Sequence, residues 1–333
     1  MLCKEKERQE ENMKKRIALI VLMLTICMAF SSCAVEKTTD VSTTGFITED
    51  EEINWVLRDD LYDYSGYDID KYSVHVLSSC DCTIGPVEYG TWYKFYDKER
   101  YANVVPEEIL TVTINGQEYT GFDPWTRNDY RNYFPQHKYS IEIDGVRSGT
   151  FAVDDLGKVI GFSAPKNQGE TTEVCTEEEC IDKAKKFIEE ISGEEKIDWS
   201  YYKITASLRE DLSEYFVEIK KYIDDFETTE RLIVYISLSG RVTEFSSTMF
   251  GRIPNDIDLS VFDMETVKMS AYNKLDDAYK YFIKVRYELA EPIVSVLWDG
   301  TPCLIYETNT FVKAKEDGVT YGELVSLVVI PNN

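Results

Sequence analysis

The sequence predicts an α+β protein with mostly antiparallel sheets, arranged as helix-then-meander units that follow a cleaved signal peptide. Three observations lead to this fold class. Apolar residues recur at helical spacing in a few segments, alternating apolar and polar residues mark many short strands, and Asn-Gly, Asp-Gly and Ser-Gly pairs separate neighbouring strands. Because such pairs readily form tight turns, consecutive strands are expected to run antiparallel.

The N-terminus has the pattern of a secretory signal peptide. Lys14–Arg16 are positively charged, and the 14 residues Ile17–Phe30 are almost all apolar. A membrane-spanning helix needs about 20 residues, so this run is too short to cross a bilayer and is typical of a signal peptide, here residues 1–32. Met13 stands directly before the charged residues and is an alternative start to Met1.

The end of this segment, Phe30-Ser31-Ser32-Cys33, resembles the signal peptides of bacterial lipoproteins, over about residues 13–33. The resemblance implies that Cys33 becomes the lipidated first residue of the mature chain, although this family usually has an aliphatic residue in place of Phe30. The alternatives are an ordinary cysteine after a cleaved signal and an uncleaved anchor. Residues 33–44, rich in Thr and Ser, are then expected to form a flexible tether.

The charge balance excludes several classes of partner. The chain has 36 basic and 61 acidic side chains and a net charge of −25. Residues 1–32 hold six of the basic and four of the acidic side chains, so their removal brings the net charge to −27. Nucleic acids and anionic membrane surfaces repel such a chain, so neither is expected to bind it electrostatically. The expected membrane attachment is therefore covalent, through acyl chains that contribute about 0.8 kcal/mol per buried CH₂.

Residues 45–164 are predicted to form a β-rich N-terminal domain. A helix is expected at its start, over 49–61, and strand signals follow. Strand-like residues flank Asn115-Gly116 and precede Asp144-Gly145, and both pairs readily take the positive φ angles of a two-residue hairpin turn. Further strand segments are expected at 150–153 and 158–163.

Two units with the same order of elements are predicted next, at 173–250 and 260–331. The first opens with the clearest helix, Glu177–Ile191, where Thr176 and Glu179 match a capping box. In the second, Asp263 is expected to cap a helix over 264–275. Four strand-like segments follow each helix; they are 202–208, 215–223, 232–238 and 241–245 in the first unit, and 283–289, 293–298, 303–311 and 322–330 in the second.

The first unit carries a second resemblance. The helix opening Thr176-Glu-Glu-Glu-Cys-Ile-Asp-Lys-Ala, the strand Tyr215-Phe-Val-Glu-Ile and the closing Val234-Tyr-Ile-Ser-Leu-Ser-Gly-Arg resemble PepSY-like modules. These are small helix-on-sheet domains of secreted and membrane-anchored bacterial proteins. The resemblance covers about residues 173–248, and more weakly 260–330. It implies a role in binding or in the control of peptidases, and it supplies no catalytic residues.

Five cysteines follow Cys33 in the chain: Cys80, Cys82, Cys175, Cys180 and Cys303. Cys175 and Cys180 fall at the position before the N-cap and at the fourth helical position, which meet as a hydrophobic staple. They are predicted either to form a disulfide or to remain reduced as small buried hydrophobes. The pairing of the other three is left open, and their spacing does not match a metal site.

The sequence contains no recognisable catalytic motif. The two histidines, His75 and His137, are expected to be structural. The adjacent acid pairs fit turns better than general acid–base catalysis; they are Asp59-Asp60, Asp154-Asp155, Asp224-Asp225 and Asp276-Asp277. No cofactor is expected, and the alternative is calcium at the acidic residues 59–70.

These observations predict a lipoprotein on the outer side of the bacterial cell membrane, held there by its lipid. It is expected to be a non-catalytic binding or regulatory module, and not an enzyme. The expected ligand is a peptide, a protein or cell-wall material. The aromatic clusters at 92–96 and 130–134 are expected to pack on half-buried sheets, and a ligand platform is their alternative role. The alternative function is a secreted hydrolase that uses acidic residues.

Overall fold

The computed structural model describes residues 56–57, 63–78, 106–127, 136–165, 175–193, 196–280, 284–297, 299–313 and 320–332. Two α-helices lie within these residues, α1 (Glu177–Ile191) and α2 (Met264–Ala278). Short 3-10 turns at Ile69–Lys71, Trp199–Tyr201 and Leu259–Val261 precede β2, β8 and α2. The strands are β1 (Val56–Leu57), β2 (Tyr72–Ser78), β3 (Leu110–Ile114), β4 (Gln117–Arg127), β5 (Gln136–Ile143), β6 (Val146–Asp154), β7 (Val159–Ser163), β8 (Tyr202–Arg209), β9 (Glu214–Ile223), β10 (Phe226–Ser237), β11 (Val242–Thr248), β12 (Lys284–Arg286), β13 (Ile293–Val296), β14 (Pro302–Lys313) and β15 (Thr320–Pro331).

The strands form two antiparallel sheets that meet at β10. The first sheet has the order β8-β9-β10-β11-β7-β6-β5-β4-β3. In the second sheet β14 is central: β15 and then β2 lie on one side of it, β12 and β13 lie on the other, and β1 pairs with β12. A parallel contact between Thr228 of β10 and Val294 of β13 joins the two sheets. The described strands therefore belong to one branched, mixed sheet.

The predicted fold class is wrong. The described chain is β-rich, with two α-helices against fifteen strands, and it is not an α+β protein of helix-then-meander units. The strands after α2 form their sheet together with β1 and β2, which lie more than 200 residues before them in the chain. The strand β11 continues through β7 into the N-terminal hairpins. Alternating residues identify a strand and its buried face, but long-range packing selects its partner.

Several local predictions are confirmed. Asn115 (φ 54°) with Gly116 (φ 68°) turns β3 into β4, and Asp144 (φ 53°) with Gly145 (φ 76°) turns β5 into β6. Positive φ at both central residues is the geometry that the Asn-Gly and Asp-Gly pairs predict. The helix α1 has the expected bounds and a complete capping box. The strands β8, β9, β11 and β13 to β15 lie at the expected segments, within three residues at each end, whereas β10 begins at Phe226, six residues before its expected start.

One local expectation does not agree with the structure. Of the helix expected over 49–61, the structure describes only Val56 and Leu57, which form the short strand β1 beside β12. No helix among the described residues has the length and apolar character needed to cross a membrane.

The first sheet curls around α1. The helix buries Cys180, Ala184, Phe187, Ile188 and Ile191, and it contacts the end strands β8 and β3 as well as β9, β10 and β11 between them. Each strand of the sheet therefore has an inner face towards α1 and an outer face away from it. The second helix, α2, packs on β2 and β15 and forms a separate core with them.

Candidate binding face

The cysteines singled out in the sequence fall in three different places. Cys33, Cys80 and Cys82 lie outside the described residues, as do the aromatic clusters at 92–96 and 130–134. Cys175 and Cys180 are brought together at the start of α1, where both are buried as thiols. Cys303 is buried in β14 opposite Ser295 of β13, and burial raises the pKa of its thiol to about 12.

The capping box positions the first cysteine pair. The Thr176 Oγ1 accepts a hydrogen bond from the Glu179 backbone N–H at 3.3 Å, and a Glu179 carboxylate oxygen accepts one from the Thr176 N–H at 2.8 Å. These bonds place Cys175 and Cys180 in the same buried core cluster. Burial, followed by the neighbouring Cys175, raises the pKa of the Cys180 thiol to about 11. The Cys180 thiol is therefore protonated at neutral pH, and its thiolate is rare.

The histidines and acid pairs of the described residues have structural surroundings. His137 is buried in β5, with its Nδ1 3.1 Å from the Thr126 hydroxyl. Asp154 accepts backbone hydrogen bonds from Leu156 and Lys158, so it shapes the turn before β7, and Arg252 bonds to it at 2.6 Å. His75 lies on β2, which pairs with β15 at the edge of the second sheet.

The remaining acidic candidates do not converge. Asp224 begins the turn between β9 and β10 with a φ of 51°, and the pair Asp276-Asp277 ends α2. In the candidate calcium segment, Asp63 accepts a backbone hydrogen bond from Ser65, while Asp59 and Asp60 lie outside the described residues. Within the described ranges no cluster of three or more His, Cys, Asp or Glu side chains is suited to holding a metal ion.

The outer face of β8 to β11 gathers a different set of side chains. They alternate with the residues that pack on α1, and none of them is buried. We call this set the outer face; its members are Lys203, Thr205, Ser207, Arg209, Glu214, Phe216, Glu218, Lys220, Tyr222, Glu227, Arg231, Ile233, Tyr235, Glu244, Ser246 and Thr248.

Strand register arranges the outer face in rows across four strands. Ser207, Phe216, Tyr235 and Glu244 stand side by side in one row. The next row consists of Thr205, Glu218, Ile233 and Ser246, and the third of Lys203, Lys220, Arg231 and Thr248. Aromatic, hydroxyl and charged groups thus lie within reach of one extended ligand, because adjacent strands are only about 4.8 Å apart.

Aromatic contacts hold the rings of the outer face. Phe216 and Tyr235 meet edge to face, with ring centroids 5.5 Å apart. The Arg209 guanidinium lies 5.9 Å from the Tyr235 ring, and the Lys203 ammonium lies 3.7 Å from the Tyr222 ring. Such cation–π contacts fix rings and cations in one layer, so the aromatic groups are ordered before a ligand arrives.

The outer face is electrically neutral on a strongly acidic chain. Its four basic side chains, Lys203, Arg209, Lys220 and Arg231, equal in number its four glutamates, Glu214, Glu218, Glu227 and Glu244. Arg231 pairs with Glu218, and the Lys220 ammonium lies 3.1 Å from Glu227. A neutral patch does not repel a ligand of either sign, whereas the chain as a whole has a net charge of −25.

A buried charge network lies at the end of the same strands. The Glu230 carboxylate accepts hydrogen bonds from the Tyr202 hydroxyl at 2.8 Å and from the Gly251 N–H at 3.1 Å, and it pairs with Lys221 at 3.4 Å. Lys221 also donates to the Ile253 carbonyl. Burial, together with the Glu230 charge, raises the pKa of the Tyr202 hydroxyl. The network ties β8, β9 and β10 to the loop after β11 and so stiffens the strands that carry the outer face.

One carboxyl on the outer face has an altered acidity. Partial burial raises the pKa of Glu214, while Arg209 and a hydrogen bond from the Thr243 hydroxyl oppose this rise and the Glu244 charge adds to it. A carboxyl with a raised pKa is a candidate proton donor. Glu214 is the outer-face residue that bears on the hydrolase alternative.

The outer face was not among the sites predicted from the sequence. The signal was present: four consecutive predicted strands each alternate apolar residues with polar or aromatic ones, as in Tyr215–Ile223. What was missing was the register between the strands, which decides whether those residues share a row.

No protein-family model matches the chain, and searches among curated proteins and among solved structures also find no match. The resemblances to lipoprotein signal peptides and to PepSY-like modules therefore stay predictions.

Proposed function

We propose that the protein is a lipid-anchored bacterial lipoprotein on the outer side of the cell membrane, and that it binds a peptide, protein or cell-wall ligand on its outer face without catalysing a reaction. The observation that carries this proposal is the neutral, ordered layer of aromatic, hydroxyl and charged side chains across β8 to β11. Recognition surfaces commonly combine rigid aromatic rings with adaptable polar groups in this way.

The anchoring part of the proposal is supported by the sequence. The short apolar run before Cys33 is typical of a signal peptide. The mature chain, with a net charge of −27, would be repelled by an anionic leaflet, so a lipid would be needed to hold it at the membrane. Cys33→Ala should release the chain from the membrane fraction and abolish incorporation of a labelled fatty acid. Cys303→Ala, which removes a buried cysteine elsewhere, should leave both unchanged. A Cys33→Ala chain that stays membrane-bound with its label would refute the anchor.

The binding part can be tested without knowing the ligand. A photo-crosslinking amino acid is placed at Phe216 on the outer face and, as a matched control, at Trp125, an aromatic side chain 44% exposed on β4. On intact cells the Phe216 position should give a discrete crosslinked product that the Trp125 position does not. Crosslinking that is absent at Phe216, or equal at the two positions, would contradict binding at the outer face.

A secreted hydrolase is the second candidate, and the raised pKa of Glu214 favours it. If the outer face cleaves a glycan, the purified chain should release soluble label from dye-labelled peptidoglycan. Glu214→Gln should then abolish the release, while Glu118→Gln, on the separate strand β4, should not. A wild-type chain that releases no label removes this candidate for that substrate.

A further inference from the structure

The side chains at the start of α1 form a unit that the proposed function does not use. Cys175 and Cys180 are in contact, only 8% and 0% exposed, and are held by a capping box that fixes the backbone on both sides. Cys303 sits in another core cluster, packed with Leu77, Ile305 and Val328. Among the described cysteines, contact between two thiols therefore occurs at the α1 start alone.

We propose that Cys175 and Cys180 are a modification site, a reversible thiol–disulfide pair that closes a covalent loop at the start of α1 and, by fixing Cys175, restrains the turn between β10 and β11 to which the Cys175 N–H is bonded. The proposal rests on the proposed function for its setting, because disulfides persist in oxidising compartments outside the cytoplasm. The thiol form is the one present in the structure.

The backbone already holds the two sulfurs together. In the capping box, Thr176 and Glu179 bond reciprocally, so the residues just before and one turn into the helix cannot move apart. Both side chains are buried in the same core cluster in this arrangement. A disulfide needs Cα atoms within about 7 Å of one another, and the hydrophobic-staple positions bring side chains into contact at the helix start.

The pair also contacts the turn that leads to the outer face. The Cys175 N–H donates to the Leu238 carbonyl at 2.7 Å, and a Cβ at Gly240 would overlap the Cys175 sulfur and the Lys183 ammonium. This turn joins β10 to β11 only a few residues after Tyr235. Oxidation of Cys175 would therefore restrain one end of the outer face.

The chemical step is an exchange with a disulfide of a small molecule or another protein. The thiolate of one cysteine attacks the external disulfide, one external thiol leaves, and the second cysteine then displaces the other external thiol. Cys175 and Cys180 together lose two protons and two electrons, and the external disulfide is reduced to two thiols. Burial keeps the Cys180 thiol protonated and both cysteines are buried from solvent, so exchange in the folded chain should be slow and should accelerate as the pH rises towards the Cys180 pKa.

The test is a redox titration of the purified full-length chain. The chain is refolded in mixtures of oxidised and reduced dithiothreitol, so that slow reaction of buried thiols does not limit the result. Free thiols are then alkylated in denaturant and mapped by peptide mass. Cys175 and Cys180 should lose the label together, as one linked peptide, while Cys303 stays labelled. Labelling of both Cys175 and Cys180 in the fully oxidised buffer would overturn the proposal.

A second measurement tests the fastening itself. Amide hydrogen exchange at Cys175–Thr176 and at Leu238–Arg241 should slow by roughly tenfold on oxidation, which is the scale of a small disulfide loop. In Cys180→Ala the oxidised and reduced samples should exchange equally. If exchange at both segments is unchanged in the oxidised wild type, the disulfide does not fasten the turn. None of these measurements depends on whether Cys33→Ala leaves the membrane. The disulfide proposal and the proposed lipid anchor can therefore be contradicted independently of each other.

Discussion

His137 illustrates how a single buried group links stability to pH. It is only 4% exposed in β5, its Nδ1 contacts the Thr126 hydroxyl, and its Nε2 has no hydrogen-bond partner among the described residues. Burial lowers the pKa of His137, although the nearby Asp155 charge opposes this. The pKa of His137 in the folded chain lies below its pKa in the unfolded chain, so the unfolded chain binds the proton first as the pH falls. The free energy of unfolding therefore decreases as the pH falls below about 6.5.

We therefore expect His137→Asn to weaken the acid sensitivity of the protein. Asn can keep a polar contact with Thr126 but does not titrate. Between pH 7 and pH 5 the free energy of unfolding of the wild type should fall more steeply than that of the variant, by at most about 1.4 kcal/mol per pH unit. Urea unfolding of both proteins at each pH gives this difference directly, since titration of the other groups cancels. Parallel pH curves would show that His137 carries no such linkage.

The buried Lys221–Glu230 pair gives a second prediction for single residues. Lys221→Met should cost about 3–5 kcal/mol of unfolding free energy, because the Glu230 carboxylate would remain buried without its cation. Adding Glu230→Gln should restore much of this loss, since an amide can still bond to Tyr202 and Gly251. The measurement is urea unfolding of the two single variants and the double variant. Additive losses in the double variant would show that the two charges are not coupled.

Two turn glycines allow the destabilisation caused by backbone strain to be distinguished from that caused by steric overlap. Gly240 (φ 79°) and Gly300 (φ 86°) both need a positive φ, but a Cβ at Gly240 would overlap Cys175 and Lys183, whereas a Cβ at Gly300 would meet nothing within 4 Å. Gly300→Ala should cost only the left-handed strain of about 1–2 kcal/mol. Gly240→Ala should cost more, as measured by thermal or urea unfolding. Cys175→Ala should recover part of the excess, and an equal cost at the two glycines would exclude the contact.

Some elements could be predicted from sequence patterns alone. The bounds of α1 followed from its capping box and apolar stripe, and both hairpin turns followed from Asn-Gly and Asp-Gly, because each of these signals acts within a few residues. The expected helix at 49–61 relied on apolar spacing without a cap. At Val56 and Leu57 the structure has a strand paired with β12, about 230 residues away. A distant partner overrode a weak local preference there.

For the whole molecule, the surplus of acidic side chains predicts a salt effect. A net charge of −25 destabilises the compact state through self-repulsion, and salt screens that repulsion, with a Debye length of about 10 Å at 0.1 M. The unfolding temperature of the purified chain should therefore rise from low salt to 0.5 M sodium chloride. The comparison belongs at neutral pH, where His137 is neutral. An unfolding temperature that falls with salt would mean that attractive ion pairs outweigh the repulsion.

The architecture of the whole molecule depends on contacts that no local pattern specifies. The strand β10 belongs to the first sheet along its length and reaches the second sheet at Thr228, next to the bond between the Thr229 and Ser295 hydroxyls. The strand β2 completes the sheet on which α2 packs, although more than 180 residues separate them. Because β10 pairs with strands of both sheets, the two sheets form one continuous hydrogen-bonded structure.

Short-range signals in the chain were sufficient to predict most of the strands, both described helices, the hairpin turns and the proximity of Cys175 and Cys180, since each depends on neighbouring residues. The predicted anchor at Cys33 rests on such signals as well. The β-rich class, the branched sheet and the neutral outer face of β8 to β11 emerge only from the folded chain. Alternation indicates which side of a strand is buried, but strand partners and register depend on packing between distant segments.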